Sequence, residues 1–325
     1  MWSEVRSYYG FTRDFAQAGY FETEQFQQIV KELSFETKAG KLIAVSGMVG
    51  CGKTTLLRRL QEMLAREKDF LVAKSLAVDK GQISLTVLMN ALFYDLGATE
   101  KDFKIPTKPE WRERVLRDLI KRRQKSVALF IDDAHDLQTK TLVGLKRLIE
   151  VVRDGGGNLS VVLAGHPKLR NDLRRPTMEE IGLRTAIFEL ENFTLAEKLA
   201  YLKWLLTQCL PAKLDLAAVI TEEAVSLTAE RLATPLQCEQ YLLRAFEEGY
   251  KIGQKPVGTD VMQTVFAPDL EDLEPRLIRH GYNTKVLADL LNAKPREIKA
   301  LLRGQLAAGR TQELQHEMLA AGIPL

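Results

Sequence analysis

The sequence predicts an α/β fold in which a five-stranded parallel sheet with flanking helices is followed by a purely helical part. Three observations support this. Apolar runs of strand length alternate with stretches of helical spacing as far as residue 190, the order expected when crossover helices join parallel strands. The first run leads through a glycine-rich turn into a helix. From residue 194 onward the spacing is helical throughout.

Each element follows from a local pattern. Runs of apolar residues without alternation are typical of strands buried on both faces. The predicted strands are residues 42–45, 70–73, 127–131, 159–166 and 186–190. Apolar residues three and four apart predict helices over residues 26–33, 55–60, 83–96, 142–152, 196–206, 221–227 and 235–248.

Composition excludes several classes of protein. Hydrophobic residues make up 46% and charged residues 27% of the 325 positions, which is ordinary for a globular chain. No apolar run approaches the roughly 20 residues that span a bilayer, and the N-terminus lacks the layout of a secretion signal. The three cysteines are far apart in sequence and indicate neither a disulfide framework nor a metal cluster. We therefore expect a cytoplasmic protein with no membrane partner.

The glycine-rich turn is a P-loop (Walker A) motif. Residues 47–54 read GMVGCGKT between a predicted strand and a predicted helix, the context in which backbone N–H groups cradle phosphates. Lys53 would reach the β- and γ-phosphates of ATP, and the Thr54 hydroxyl would hold Mg²⁺. The predicted nucleotide-binding residues are Gly47, Val49, Gly50, Cys51, Gly52, Lys53, Thr54 and Thr55.

Two carboxylates follow the third predicted strand. Asp132 and Asp133 come directly after the apolar run at 127–131, which places them at the strand edge where ligands of α/β sheets bind. This is a Walker B pattern. We expect Asp132 to hold Mg²⁺ through its water shell and Asp133 to polarise the attacking water.

Other candidates stand at strand ends or near the N-terminus. Arg184 directly precedes the fifth strand and could stabilise a neighbouring subunit's γ-phosphate in trans. Arg174 and Arg175 are second choices for that role, and a surface salt bridge is the alternative for each. Tyr20 and Phe21 could contact the nucleotide base, although the N-terminal segment could equally well only pack on the core.

The order of these features resembles the AAA+ ATPase family. In that family a P-loop is followed by acidic and polar residues at strand ends, by an arginine on the flank of the subunit (here Arg184) and by a small helical domain called the lid (here the helices from residue 194 onward). Residues 9–11 (YGF) and 163–169 (LAGHPKL) resemble one branch of this family, which contains ExeA-like ATPases and DNA-transposition regulators of the TnsC, TniB and phage Mu B kind. The resemblance covers roughly residues 5–250. It implies that His166 is the polar sensor of the γ-phosphate, and helix capping is the alternative for this residue.

Two departures from the family pattern bear on hydrolysis. Most relatives have Glu where this chain has Asp133. The lid motif Gly-x-Pro-Arg is matched by residues 233–237 (ATPLQ), which lack its arginine, unless Arg231 or Arg244 substitutes. We therefore expect a slow, switch-like ATPase.

Positive charge is concentrated near the C-terminus. Residues 276–310 hold eight Lys/Arg and two acidic residues after an acidic linker at 269–275. Residues 286–291 and a helix opened by Pro295 form a helix-turn-helix pattern, and one further helix is expected after them. Arg296, Lys299 and Arg303 share one face of the second helix. They could contact DNA, or solvate a hairpin that docks a protein partner.

The predicted function is an ATP-dependent regulator of DNA transposition, which assembles as a ring or filament on duplex DNA and recruits a transposase. The resemblance places DNA contacts between the second strand and Walker B, where Lys80, Lys104 and Lys108 are the candidates. The alternative is an ExeA-like secretion-associated or STAND-type switch acting on proteins. The predicted domains are 1–192 for the core, 193–266 for the lid and 267–325 for the basic region.

Overall fold

The sheet of the protein is parallel and five-stranded. The structure is a computed structural model that describes residues 2–74, 83–97, 105–266 and 272–324. Its strands are β1 (Leu42–Gly47), β2 (Phe70–Lys74), β3 (Ser126–Ile131), β4 (Leu159–Gly165) and β5 (Thr185–Leu190). They pair in the order β2-β3-β4-β1-β5, every pair parallel. The predicted fold class is confirmed.

Strand burial explains the apolar runs. Every residue of β1 and β4 is buried, and β3 is buried from its second residue onward, because helices cover both faces of the sheet. At the edge of the sheet, β5 is buried only at its two end residues and is partly or fully exposed between them. Because all strands run the same way, the residues that follow β1, β3 and β4 meet at one edge of the sheet.

The helices of the described residues run from the N-terminus to the C-terminal region. They are α1 (Trp2–Tyr9), α2 (Glu24–Lys38), α3 (Lys53–Ala65), α4 (Leu85–Gly97), α5 (Pro109–Arg123), α6 (Thr139–Asp154), α7 (Pro167–Leu173), α8 (Glu179–Gly182), α9 (Leu195–Cys209), α10 (Glu222–Arg231), α11 (Pro235–Lys251), α12 (Thr259–Val265), α13 (Leu273–Arg279), α14 (Thr284–Leu290), α15 (Pro295–Leu302) and α16 (Ala308–Ala320). Not one of them combines the length and the hydropathy needed to cross a membrane.

The chain forms two compact units. The sheet unit contains Glu24–Gly47, Lys53–Leu190 and His280–Leu325, and the lid unit contains Met1–Thr23, Met48–Gly52 and Glu191–Arg279. The core of the sheet unit lies between the strands and helices such as α4 and α6.

The lid unit is built around an aromatic cluster. Tyr9 and Phe11 of the N-terminal segment each pack against Phe246 of α11, with ring centroids 4.9 Å apart. The Tyr9 hydroxyl donates to the carbonyl of Gln254 at 2.7 Å. Edge-to-face aromatic pairs of this kind stabilise packing beyond the area they bury.

The contact-based units divide the chain differently from the predicted domains. The N-terminal segment groups with the lid helices rather than with the sheet, because its aromatic side chains fill the lid core. The basic region also divides, with α13 in the lid unit and residues from 280 in the sheet unit. The boundaries predicted for functional domains stay a prediction.

The predicted acidic linker at 269–275 is partly helical, and its residues 269–271 lie outside the described part of the chain. Helix α13 begins at Leu273, since Pro275 falls in its first turn, where a missing N–H is tolerated. The helix-turn-helix pattern is present as α14 and α15, and the further helix is α16. Asn292 in the intervening turn has φ of +47°, which Asn tolerates better than most residues.

Candidate active site

The P-loop joins β1 to α3 as predicted. Gly50 and Gly52 have φ of +81° and +105°, conformations that residues with a Cβ rarely adopt. The Lys53 side chain is 7% exposed, and its ammonium donates to the carbonyl of Gly47 at 2.9 Å. The amine is therefore held beside the loop that is expected to take the phosphates.

Thr54 and Asp132 lie together in the way that a Mg²⁺ site requires. The Thr54 hydroxyl donates to Oδ2 of Asp132 at 2.7 Å, and Oδ1 of Asp132 accepts from the Asp133 N–H at 2.9 Å. A hydroxyl and a carboxylate are oxygen donors that suit Mg²⁺. These residues fit the ion implied by the P-loop: Thr54 would be a direct ligand, and Asp132 would position the ion's waters.

Asp133 has an unusual backbone. Its φ of 54° and ψ of 32° place it in the left-handed region, where Asp and Asn are several-fold enriched among residues other than glycine. The short 3₁₀ turn Ala134–Asp136 follows immediately. A side chain with one carbon between backbone and carboxylate therefore suits this turn, which gives a structural reason for Asp at this position.

His166 meets a residue for which no role was predicted. Its ring stacks on His135 with centroids 3.6 Å apart and planes 19° from parallel. His166 occupies the N-cap position of α7, but its side chain makes no capping hydrogen bond, so the capping role is not the one its ring performs. His135 could have been found from the sequence, because both histidines follow predicted strands and the carboxyl ends of parallel strands meet at one edge of the sheet.

Burial sets the charge of these two rings. It lowers the pKa of His166 to about 4, with nearby His135 and Lys53 acting in the same direction. Burial also lowers the pKa of His135, against the opposing effect of Asp136 and Asp133. Both imidazoles are therefore neutral at physiological pH, when each ring has one nitrogen able to accept a hydrogen bond or bind a metal.

Within the lid unit, the start of α11 touches the P-loop. The Leu236 N–H donates to the carbonyl of Gly50 at 3.2 Å. A Cβ added to Gly50 would lie 2.6 Å from the Leu236 Cβ and 2.9 Å from the Thr234 hydroxyl. The stretch that lacks the family's lid arginine is thus in contact with the P-loop, and Leu236 is exposed there.

The two arginines suggested as substitutes are engaged with aromatic rings. The Arg231 guanidinium lies 5.9 Å from the centroid of Phe266, and that of Arg244 lies 5.2 Å from the centroid of Tyr241. A different contact was not anticipated: the Val49 N–H donates to the carbonyl of Arg279 at 2.9 Å. The last residue of α13 therefore meets the P-loop through its backbone.

Arg184 lies at the opposite end of the strands from Gly47, the first residue of the P-loop motif. It precedes Thr185, which pairs with Leu42 at the start of β1. The five-residue rise from Leu42 to Gly47 corresponds to about 17 Å, so the backbone of Arg184 lies about that far from the Gly47 end of the sheet. The side chain is exposed and donates to Glu150 at 2.7 Å, the salt bridge foreseen as the alternative.

The second-choice arginines differ from each other. Arg175 pairs with Asp172 at 3.1 Å. Arg174 is exposed at the C-cap of α7 and forms no ion pair within the part of the chain that the structure describes. The assignment of a trans-acting arginine stays a prediction.

The aromatic candidates for base contact lie in the lid unit. Phe21 packs against Phe193, Tyr201 and Trp204, with centroid distances of 5.4 to 5.7 Å. Tyr20 is partly buried. The ring of Phe21 thus has a packing role, and base contact by either residue stays a prediction.

The predicted DNA contacts are partly described. Lys80 and Lys104 lie outside the described residues. Lys108 is exposed directly before α5. Arg296, Lys299 and Arg303 are all exposed, while Ile298 and Leu301 face inward. Among the described residues these three cations have no acidic partner within salt-bridge distance.

Comparisons with known proteins show a matching domain family and a related sequence. Residues 36–173 match the AAA domain family. A curated relative, the general secretion pathway protein A of Aeromonas hydrophila, is 27% identical over 221 residues. The match covers 65% of this chain but only 38% of that protein, so the chain spans well under half of the relative's length.

Solved structures of low identity share the fold. The Aeropyrum pernix ORC2 protein, in ADPNP-ADP complexes, has a TM-score of 0.60 at 15% identity. The alignment covers 97% of this chain and 84% of the ORC2 chain. Cdc6p from Pyrobaculum aerophilum has a TM-score of 0.57 at 14% identity, covering 98% and 90%. Drosophila ORC bound to DNA has a TM-score of 0.53 at 14% identity, covering 100% and 80%. Residues 36–173 therefore match the AAA domain family, and the chain shares the fold of these ORC and Cdc6 structures.

Proposed function

We propose that this protein is an ATP-binding switch that hydrolyses ATP slowly, binds duplex DNA and regulates DNA transposition. The observation that carries the ATP part is the convergence of Lys53, the Thr54–Asp132 pair, Asp133 and His166 at one edge of the sheet unit. Lys53 binds phosphate oxygens, Thr54 and Asp132 hold Mg²⁺, and Asp133 polarises the attacking water.

Two features support slow hydrolysis. The acid expected to act on water is Asp133, whose carboxylate is one methylene nearer the backbone than that of Glu. At the start of α11 the P-loop meets Leu236, which offers no positive charge to a γ-phosphate. When a contact that stabilises the transition state is missing, each 1.4 kcal/mol of lost stabilisation slows hydrolysis about tenfold.

The DNA part rests on the C-terminal region. Arg296, Lys299 and Arg303 form an exposed basic face on α15, which we call the α15 basic face. Phosphate contacts from such a face give affinity that falls with salt and depends little on sequence. ATP-bound subunits would assemble side by side on the duplex, with Arg184 reaching the neighbouring nucleotide, and the assembly would recruit a transposase.

A second candidate function has one specific observation in its favour. The curated relative is named as a general secretion pathway protein. In this alternative the same ATP-driven switch acts on a protein assembly, and the α15 basic face docks an acidic protein partner.

Duplex DNA binding separates the two candidates. Fluorescence anisotropy would be recorded with ATP, ADP and no nucleotide at two or more salt concentrations. We expect ATP-dependent binding that weakens with salt. Substituting Arg296, Lys299 and Arg303 together by Ala should weaken binding and reduce the slope of log K against log salt by about 3, at 0.9 per phosphate contact.

A matched control removes the same charge elsewhere. Lys31, Lys140 and Lys213 are exposed, and their joint substitution by Ala should leave the slope unchanged. Equal losses in the two triple variants would show a general charge effect and contradict the α15 basic face. No DNA binding under any condition would favour the protein-directed function.

A further inference from the structure

Three possible metal ligands converge beside the proposed Mg²⁺ site. Asp133, His135 and His166 each offer one ligand atom, and these atoms all lie within 4.8 Å of one another. We propose that these three residues bind a divalent transition-metal ion of the Zn²⁺ class, separately from Mg²⁺, and that this ion arrests ATP hydrolysis.

The donor set favours a transition metal. Two imidazoles and one carboxylate are ligands of Zn²⁺, Co²⁺ or Ni²⁺, whereas Mg²⁺ prefers oxygen donors and keeps several waters. Within the described residues, neither His135 Nδ1 nor His166 Nδ1 has a hydrogen-bond partner although both are buried, and buried ring nitrogens are normally paired.

The site has the surroundings expected of a metal centre. His135 Nε2 lies 3.7 Å from Asp136 Oδ2, beyond hydrogen-bond distance, so the ring would have to move closer before this carboxylate could orient it as outer carboxylates do in metal sites. A cavity of about 540 Å³ lined by His135, Lys168 and Tyr282 gives access from solvent. At His135, the carboxylates of Asp136 and Asp133 oppose the positive charges of Lys168 and Lys53.

Binding requires a small rearrangement of side chains. Ligand atoms about 2.1 Å from a tetrahedral ion are about 3.4 Å apart, so the widest pair must close by at most about 1.4 Å. The stacked rings must also turn. The lone pairs of two nearly parallel rings lie side by side, so they cannot both point at one ion. Rotation about the terminal torsion of His is broad and low in energy.

The consequence for hydrolysis rests on the proposed ATPase function. A metal ion bound to Asp133 takes the carboxylate that would polarise water, and it also fixes His166. Mg²⁺ and ATP can still bind through Thr54, Asp132 and Lys53. The metal would therefore hold the protein in its ATP-bound state.

The first experiment measures binding without reference to activity. Full-length protein with saturating Mg²⁺ would be titrated with Co²⁺, and the visible absorption bands of a Co²⁺ ion with nitrogen ligands would be recorded, then competed with Zn²⁺. We expect one equivalent, displaced by Zn²⁺. His135→Ala and His166→Ala should each lower the affinity at least about tenfold, while His316→Ala on exposed α16 should not change it.

Other variants keep the test decisive. His135→Gln retains a polar side chain of similar size, so a folded variant is available if His135→Ala does not fold. Absence of the bands, or bands unchanged in the His135 and His166 variants, would overturn the site. ATP turnover with and without Zn²⁺ then tests the consequence: intact Zn²⁺ binding with unchanged turnover would overturn the arrest alone, and no turnover without Zn²⁺ would count against the proposed ATPase function.

Discussion

Replacing Gly281 by Ala tests how the C-terminal region is attached to the sheet edge that carries the candidate active site. Gly281 has φ of +91°. A Cβ built there would lie 2.8 Å from both Cβ and Nδ1 of His166, closer than real Cβ contacts allow. Nearby, Asn171 donates to the Tyr282 hydroxyl at 2.7 Å and to the carbonyl of Gly322 at 3.0 Å. These contacts fasten residues 280–324 to α7.

The expected cost has two parts. A left-handed conformation costs a residue with a Cβ about 1–2 kcal/mol, and overpacking against a held ring costs about 1–3 kcal/mol more. Gly304 provides a matched control in the same region, because its φ is +67° and nothing lies within 4 Å of an added Cβ. Gly304→Ala should therefore carry only the backbone cost, and the difference between the two variants isolates the contact with His166.

The assay combines urea unfolding with limited proteolysis of the C-terminal region. Gly281→Ala should lower the free energy of unfolding by about 1–3 kcal/mol more than Gly304→Ala does, and it should speed cleavage after residue 280. It should also change ATP turnover, because the His166 ring must move. If both variants lose the same stability and are cleaved equally fast, the packing of Gly281 on His166 is refuted.

Three further predictions concern the nucleotide site. Lys53→Ala should weaken ATP binding about 10- to 100-fold, since a hydrogen bond to a charged group is worth about 1.5–3 kcal/mol; isothermal titration calorimetry would measure it, and unchanged affinity would contradict the P-loop assignment. Mixing inactive Lys53→Ala and Arg184→Ala proteins should restore some turnover if Arg184 acts in trans, and no recovery would place that arginine elsewhere. Because the pKa of His166 falls from 6.5 to about 4 on folding, its contribution to stability is complete above pH 6.5 and is lost as the pH falls toward 4. For a half-buried ring we expect about 1–2 kcal/mol after allowance for solvent screening; urea unfolding of the wild type and of His166→Gln should then differ less at pH 5 than at pH 7.5.

The sequence predicted the candidate site best where polar or acidic residues directly follow a predicted strand. The Thr54–Asp132 pair could be anticipated because the P-loop and the end of β3 lie at the same edge of a parallel sheet. The strands themselves were predictable, since burial on both faces requires unbroken apolar runs. The fold class therefore followed from local patterns.

Other features depend on contacts between distant segments. The stacking of His135 on His166 needs the ring orientations, which local spacing does not specify. The grouping of residues 1–23 with the lid helices depends on how Tyr9 and Phe11 meet Phe246. Nothing in the sequence near Val49 indicated that the carbonyl of Arg279 would accept its N–H.

The identity of the acid at position 133 can be argued from its backbone. The αL conformation of Asp133 places the 3₁₀ turn Ala134–Asp136 directly after β3, and that turn carries His135 to its place beside His166. A left-handed residue is tolerated best when its side chain is short and can bond locally, so Asp fits where Glu would be less favourable. The turn that aligns the two histidines thus favours the shorter acid, and the shorter acid holds its carboxylate closer to the backbone. On this argument, the proposed slow hydrolysis and the clustering of Asp133, His135 and His166 have a common origin in one backbone conformation.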